Sequence, residues 1–116
     1  KKLNHYFITP EVLDGVYTNF LAYPIIIKNN SGIKRKEFQI FLEKNNIQTR
    51  VIFTGNILKQ PAFTKIKRKL SPYGYGNTNL IHKNGFIISL FNGLNKKQLN
   101  YMYKIFDIFL AKQQKK

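Results

Sequence analysis

The run Thr49–Phe63, TRVIFTGNILKQPAF, limits the folds open to this chain more than any other stretch. Its front half alternates polar and apolar residues as a strand does. Thr54-Gly55-Asn56 breaks that pattern and Gln60-Pro61 breaks it again, so the strand cannot simply continue as a sheet. The chain must present polar groups at that edge, with Arg50, Asn56, Lys59 and Gln60 brought together around two turns. The residues alone leave two readings open: a β-to-helix turn with ordinary capping, or a polar binding edge.

The flanking sequence supplies the rest of an α+β pattern. Residues Leu3–Tyr17 are turn-rich, with Pro10 and Gly15, and read as a lead-in. Asn19–Lys28 reads as a strand, β-branched and apolar, in which Pro24 calls for an edge position or a bulge. Lys34–Asn46 reads as a helix, with Phe38, Phe41 and Leu42 on one side and Asn46 suited to the left-handed residue that ends it. Ile47–Phe53 is the second predicted strand, and Ile57–Lys69 one or two short helices broken by Pro61. On that reading the basic run Lys65–Lys69 (KIKRK) is solvated helix surface. Leu70–Gly76 is a loop, where Tyr73 and Tyr75 serve either as stacking platforms or as ordinary surface tyrosines.

A helical turn over Asn77–Lys83 and a third strand over Gly85–Phe91 follow. The last helix carries a capping box, Asn95 with Gln98 three residues on, and a stripe of Leu99, Met102, Tyr103, Phe106 and Leu110 that reads as core. The order predicts a two-layer α+β domain, a short and mostly antiparallel sheet covered by helices.

Composition excludes more than it proposes. A chain of 116 residues is one domain by size. It has no cysteine, hence no disulfide, thiolate metal site or cysteine nucleophile. His5 and His82 are far apart and poor in acidic neighbours, so no metal ligand is assigned. The longest apolar run, Phe20–Ile27, has eight residues and cannot span a bilayer, and Lys1-Lys2 does not open a signal peptide; the expected location is cytoplasmic. Twenty basic residues against five acidic give +15, but seventeen of the twenty are lysine. Lys, Asn and Ile together make 45 of 116 residues, the bias of an AT-rich genome, whereas nucleic-acid readers favour arginine. No specific nucleic-acid partner and no membrane partner are expected.

No residue is assigned a catalytic role. The carboxylates Glu11, Asp14, Glu37, Glu43 and Asp107 form no pair on one face, and no glycine-rich phosphate loop follows a strand.

The block T-R-x-x-F-x-G-N-x-x-x-Q-P-A-F, then Asn77-Thr78, a strand, Gly93-Leu94 and a terminal helix, resembles the C-terminal domain of the DegT/StrS family of nucleotide-sugar aminotransferases. It is most similar to the branch of CDP-4-dehydro-6-deoxyglucose 3-dehydratases, over about Tyr6 to Leu110. The resemblance implies the small domain of a fold-type-I enzyme of pyridoxal or pyridoxamine phosphate, with the cofactor held by a large domain absent from this chain. Residues 1–18 would lead in from that domain, 19–112 form the small domain and 113–116 fray. The implied activity is removal of the C3 hydroxyl of a 4-keto-6-deoxy nucleotide-sugar, with transamination as the alternative and a homodimer as the intact enzyme. A basic nucleic-acid module and an inactive gene remnant are the rivals outside the family.

Carried onto matching positions, the implied substrate-binding residues are Arg50, Asn56, Gln60, Asn77 and Thr78. Arg50 suits a pyrophosphate through paired charge-assisted hydrogen bonds, or else a structural carboxylate. Asn56 and Gln60 offer the donors and acceptors that sugar hydroxyls need. Asn79 stands where many members have Asp, and Asn19–Pro24 lacks the branch's Trp, which weakens any charge-dependent role at Asn79.

Overall fold

Alternation along the strands sets which sheet face the helices cover. In the computed structural model, which describes residues 3–114, four strands run in the order β1-β2-β4-β3, all antiparallel. They are β1 (Phe7–Ile8), β2 (Ala22–Ile27), β3 (Thr49–Val51) and β4 (Gly85–Ser89). The helices are α1 (Leu3–Tyr6), α2 (Arg35–Lys44), α3 (Gly76–Asn84) and α4 (Lys96–Gln113). Phe86 opposes Ile25 and Val51, and Phe7 opposes Ile27. Residues two apart share a face, so Phe7, Ile25, Ile27, Phe86 and Ile88 point to one side, and all are buried. Phe38 and Leu42 of α2 and Ile105, Phe106, Phe109 and Leu110 of α4 close the core over them. By the same register Arg50 lies on the opposite face with Ile87, Pro24, Ile26 and Ile8.

Local chemistry explains the ends. Asn46 has φ 58, the left-handed conformation expected of it. Its N–H reaches the Glu43 carbonyl at 3.0 Å and the Ile47 N–H reaches that of Leu42 at 3.0 Å, the paired bonds of a Schellman stop. Ile47 and Leu42 are both buried in the core, which supplies the apolar contact of that motif. At α4 the capping box forms: Asn95 Oδ1 accepts from the Gln98 N–H at 3.0 Å, and Gln98 Oε1 accepts from the Asn95 N–H at 2.9 Å. Pro24 sits where β2 has lost its neighbour, since β1 pairs only with Ile26 and Ile27.

Four expectations need correction. The lead-in is not merely a connection: Leu3–Ile8 form α1 and β1, and Tyr6 and Phe7 enter the core, because the β2 edge at Ile26-Ile27 needs a partner. Fraying at 113–116 does not describe Gln113, the last residue of α4, or Gln114, whose Nε2 donates to the Tyr6 hydroxyl at 3.0 Å; Lys115 and Lys116 lie outside the described residues. Lys65–Lys69 is not helix surface. Ile57–Lys59 and Pro61–Phe63 are single 3-10 turns, and Arg68 folds back onto the carbonyls of Phe63 and Thr64. The α4 stripe is shifted: Ile105 and Phe109 enter the core, while Leu99, Met102 and Tyr103 line an open apolar groove of about 430 Å³ with Leu3, Tyr23 and Leu90.

Asn95→Ala removes one half of the capping box and should lower stability by about 1 kcal/mol, read as a urea midpoint shift at unchanged slope. An unchanged midpoint would mean that the first turn of α4 holds without its cap.

Candidate functional site

The polar run forms a turn beyond β3 that is held from behind by α3. The chain reverses through Ile52–Gly55, where the Gly55 N–H donates to the Ile52 carbonyl at 3.0 Å. Phe53 (φ 44) and Gly55 (φ 62) are both left-handed. Glycine takes that conformation freely; a phenylalanine there is strained and costs of order 1 kcal/mol or more. Its ring is 89% exposed, so no packing in this domain offsets the strain.

Asn56 is the pivot. Its Oδ1 accepts from the Leu58 N–H at 3.0 Å, capping the first 3-10 turn. Its Nδ2 donates to Asn79 Oδ1 at 2.9 Å, and its backbone N–H donates to His82 Nδ1 at 3.1 Å. Gln60 closes the loop by donating from Nε2 to the Thr54 carbonyl at 2.8 Å.

The position of α3 is itself fixed. Arg35, the first residue of α2, donates to the carbonyls of His82 at 2.9 Å and Gly85 at 3.0 Å, satisfying groups that the end of α3 leaves open. Asn84, buried, donates from Nδ2 to the Ile27 carbonyl at 2.8 Å and to Asn29 Oδ1 at 2.9 Å. Gly85 makes the junction with β4, where a Cβ would stand 2.6 Å from the Ile81 carbonyl oxygen.

The five expected site residues thus separate into two groups. Arg50 is exposed, and its guanidinium has no hydrogen-bond or ion-pair partner among the described residues, so the structural carboxylate envisaged for it is not among them. Asn77 is exposed and Thr78 half-buried, both in the first turn of α3. Gln60 is half-buried, with its Nε2 engaged and its Oε1 free of described partners. Asn56, expected to reach sugar hydroxyls, is instead 4% exposed and turned inward. Sequence reasoning missed Asn79 and His82, which grip Asn56, and Phe53. The signal for the first two was their spacing: residues three apart share one helix face. An Asn at position 79 keeps the acceptor oxygen that an Asp would offer, so the departure noted there preserves the bond.

No described lysine is buried and all but Lys28, which is half-buried, are exposed, so none is desolvated as a cofactor anchor would be. No three His, Cys, Asp or Glu side chains among the described residues converge as metal ligands.

The open antiparallel sheet under a helical layer recurs in solved structures of aminotransferase-like enzymes. E. coli GDP-4-keto-6-deoxy-D-mannose-3-dehydratase, solved with bound hydrated PLP, superposes with a TM-score of 0.75 at 23% identity, over 86% of this chain and 25% of that one. A DegT DnrJ EryC1 StrS aminotransferase from Brucella abortus gives 0.75 at 15% identity, over 92% and 27%. Residues 4–107 match the DegT/DnrJ/EryC1/StrS aminotransferase family, and the chain belongs to that family. Lipopolysaccharide biosynthesis protein RfbH of Salmonella typhimurium is 32% identical over 102 residues, 88% of this chain and 23% of that protein. A dTDP-4-dehydro-2,6-dideoxy-D-glucose 3-dehydratase from Saccharopolyspora spinosa is 27% identical over 94 residues, 81% and 20%. The resemblance read from Thr49–Phe63 is borne out, and the chain spans about a quarter of the length of these relatives.

Asn79→Ala should strand the Asn56 amide and cost about 1–3 kcal/mol, whereas Asn79→Asp should stay near wild type. Urea unfolding of both variants checks this; equal losses would mean that the acceptor oxygen is not what position 79 contributes.

Proposed function

We propose that this domain is the small domain of a cytoplasmic enzyme, dependent on pyridoxal or pyridoxamine phosphate, that removes the C3 hydroxyl of a 4-keto-6-deoxy nucleotide-sugar in deoxysugar and lipopolysaccharide synthesis. The observation that carries this reading is the similarity to a lipopolysaccharide biosynthesis protein and to a 3-dehydratase in two different organisms. In the intact enzyme, a homodimer on this reading, a large domain holds the cofactor and this domain closes over the nucleotide-sugar, excluding water.

The geometry supports particular parts for the residues. An exposed arginine with no protein partner can offer a planar fork of donors to a pyrophosphate. Asn77, Thr78 and the free Oε1 of Gln60 can meet hydroxyls. Asn56 sits behind them and keeps the turn in shape.

Two observations weigh against a nucleic-acid module. The Tyr75 hydroxyl already accepts from the Ser71 N–H at 2.8 Å, which ties that ring to its own loop. Arg68 in the basic run spends its guanidinium on its own backbone.

Two measurements follow. In the intact enzyme, Arg50→Lys keeps the charge and loses the fork, and should raise KM for the nucleotide-sugar by about tenfold, the worth of one charge-assisted hydrogen bond. Unchanged kinetics would remove Arg50 from the site, and an amino sugar formed from an amine donor would move the reaction to transamination. The 116-residue chain incubated with pyridoxal phosphate and reduced with borohydride should label many lysines diffusely. A single stoichiometric adduct would place a cofactor anchor in this domain after all.

A further inference from the structure

His82 is one of only two histidines in the chain, and no motif singled it out. Yet it touches the polar turn twice. Its Nδ1 accepts the Asn56 backbone N–H at 3.1 Å, and its ring lies so close to Gly55 that a Cβ at Gly55 would collide with it. An imidazole nitrogen that accepts a hydrogen bond carries no proton, so the ring proton of the neutral form sits on Nε2. The His82 carbonyl is meanwhile pinned by the Arg35 guanidinium at 2.9 Å, which leaves the backbone behind the ring little freedom.

We infer that His82 is the positioning residue of the nucleotide-sugar edge: its ring, accepting at Nδ1, sets the path of Gly55-Asn56. This rests on the substrate-edge reading given above. The argument is geometric. Asn56 makes four hydrogen bonds: two engage its side chain, and its carbonyl accepts from the Lys59 N–H at 3.0 Å within the loop. The bond to His82 alone holds its backbone from outside the loop and so determines where the preceding residues, Phe53 to Gly55, present themselves. Phe53, left-handed at φ 44, lies in that stretch, so the turn has strain to release when the bond is lost. A small cleft of about 130 Å³ opens beside the ring, lined by Arg35 from α2 and by Phe53, Thr54 and Gly55 of the turn.

Asparagine can present its Oδ1 near the place of Nδ1, which makes it the diagnostic replacement. In the 116-residue chain at neutral pH, nitrogen-15 spectra should show His82 Nδ1 unprotonated, with the Asn56 amide protected from exchange. His82→Asn, which keeps an acceptor at that place, should retain the protection. His82→Ala should lose about tenfold in protection, the worth of one hydrogen bond. In the intact enzyme His82→Ala should raise KM for the nucleotide-sugar by a similar factor with a smaller change in kcat, while His82→Asn restores KM. A proton on Nδ1 at neutral pH, or an Asn56 amide indifferent to His82→Ala, overturns the inference and leaves the Arg50 result untouched. If the spectra are as expected but neither His82→Ala nor Arg50→Lys alters KM, it is the substrate-edge reading that fails, and the inference falls with it.

Discussion

The ring of Phe38 is the contact on which the layers depend. It is fully buried and meets Phe7 of β1 at 5.5 Å, Phe86 of β4 at 5.7 Å, and Phe106 and Phe109 of α4 at 5.0 and 4.6 Å. One side chain on α2 thereby touches the sheet at two strands and the other long helix. Aromatic pairs contribute about 0.5–1.5 kcal/mol each beyond the area they bury, and truncating such a ring in a packed core costs about 3–5 kcal/mol. Among the described residues, no other links α2, α4, β1 and β4 through ring contacts.

The polar edge hangs on that core through α2. Phe38 fixes the helix, and Arg35, one turn earlier on it, carries the fixation to the end of α3. From there His82 and Asn79 hold Asn56. The chain of contacts runs from apolar packing, through hydrogen bonds to helix-end carbonyls, to the turn that displays Arg50's neighbourhood. Each link satisfies a backbone or amide group that would otherwise be left open, and among the described residues no buried side-chain nitrogen or oxygen lacks a partner. A surface that must meet a ligand in one geometry is best held in this way, by a rigid support behind it.

Much of this was legible in the residues and some was not. The capping box at Asn95, the stop at Asn46 and the turn at Gly55-Asn56 were readable because each depends on side chains within a few positions. Strand β1 was not, because two residues give no periodicity and form a strand only where β2 offers an edge. The stripe on α4 was misplaced because Leu99 and Tyr103 satisfy helical spacing as well as Ile105 and Phe109 do; which of them enters the core is decided by how far the sheet extends beneath the helix. At the site, residue type put Arg50 and Asn56 forward together, and the structure leaves Arg50 exposed while turning Asn56 inward. An amide can face a ligand or the protein with equal chemistry, and only the 23-residue-distant Asn79 decides between them.

The most direct test is a crystal structure of the intact enzyme with its nucleotide-sugar bound. The account predicts the Arg50 guanidinium within hydrogen-bond distance of a phosphate oxygen, with Asn56 still bonded to Asn79 and His82 and out of contact with the sugar. Arg50 paired with a protein carboxylate, or Asn56 swung out onto a sugar hydroxyl, would contradict it.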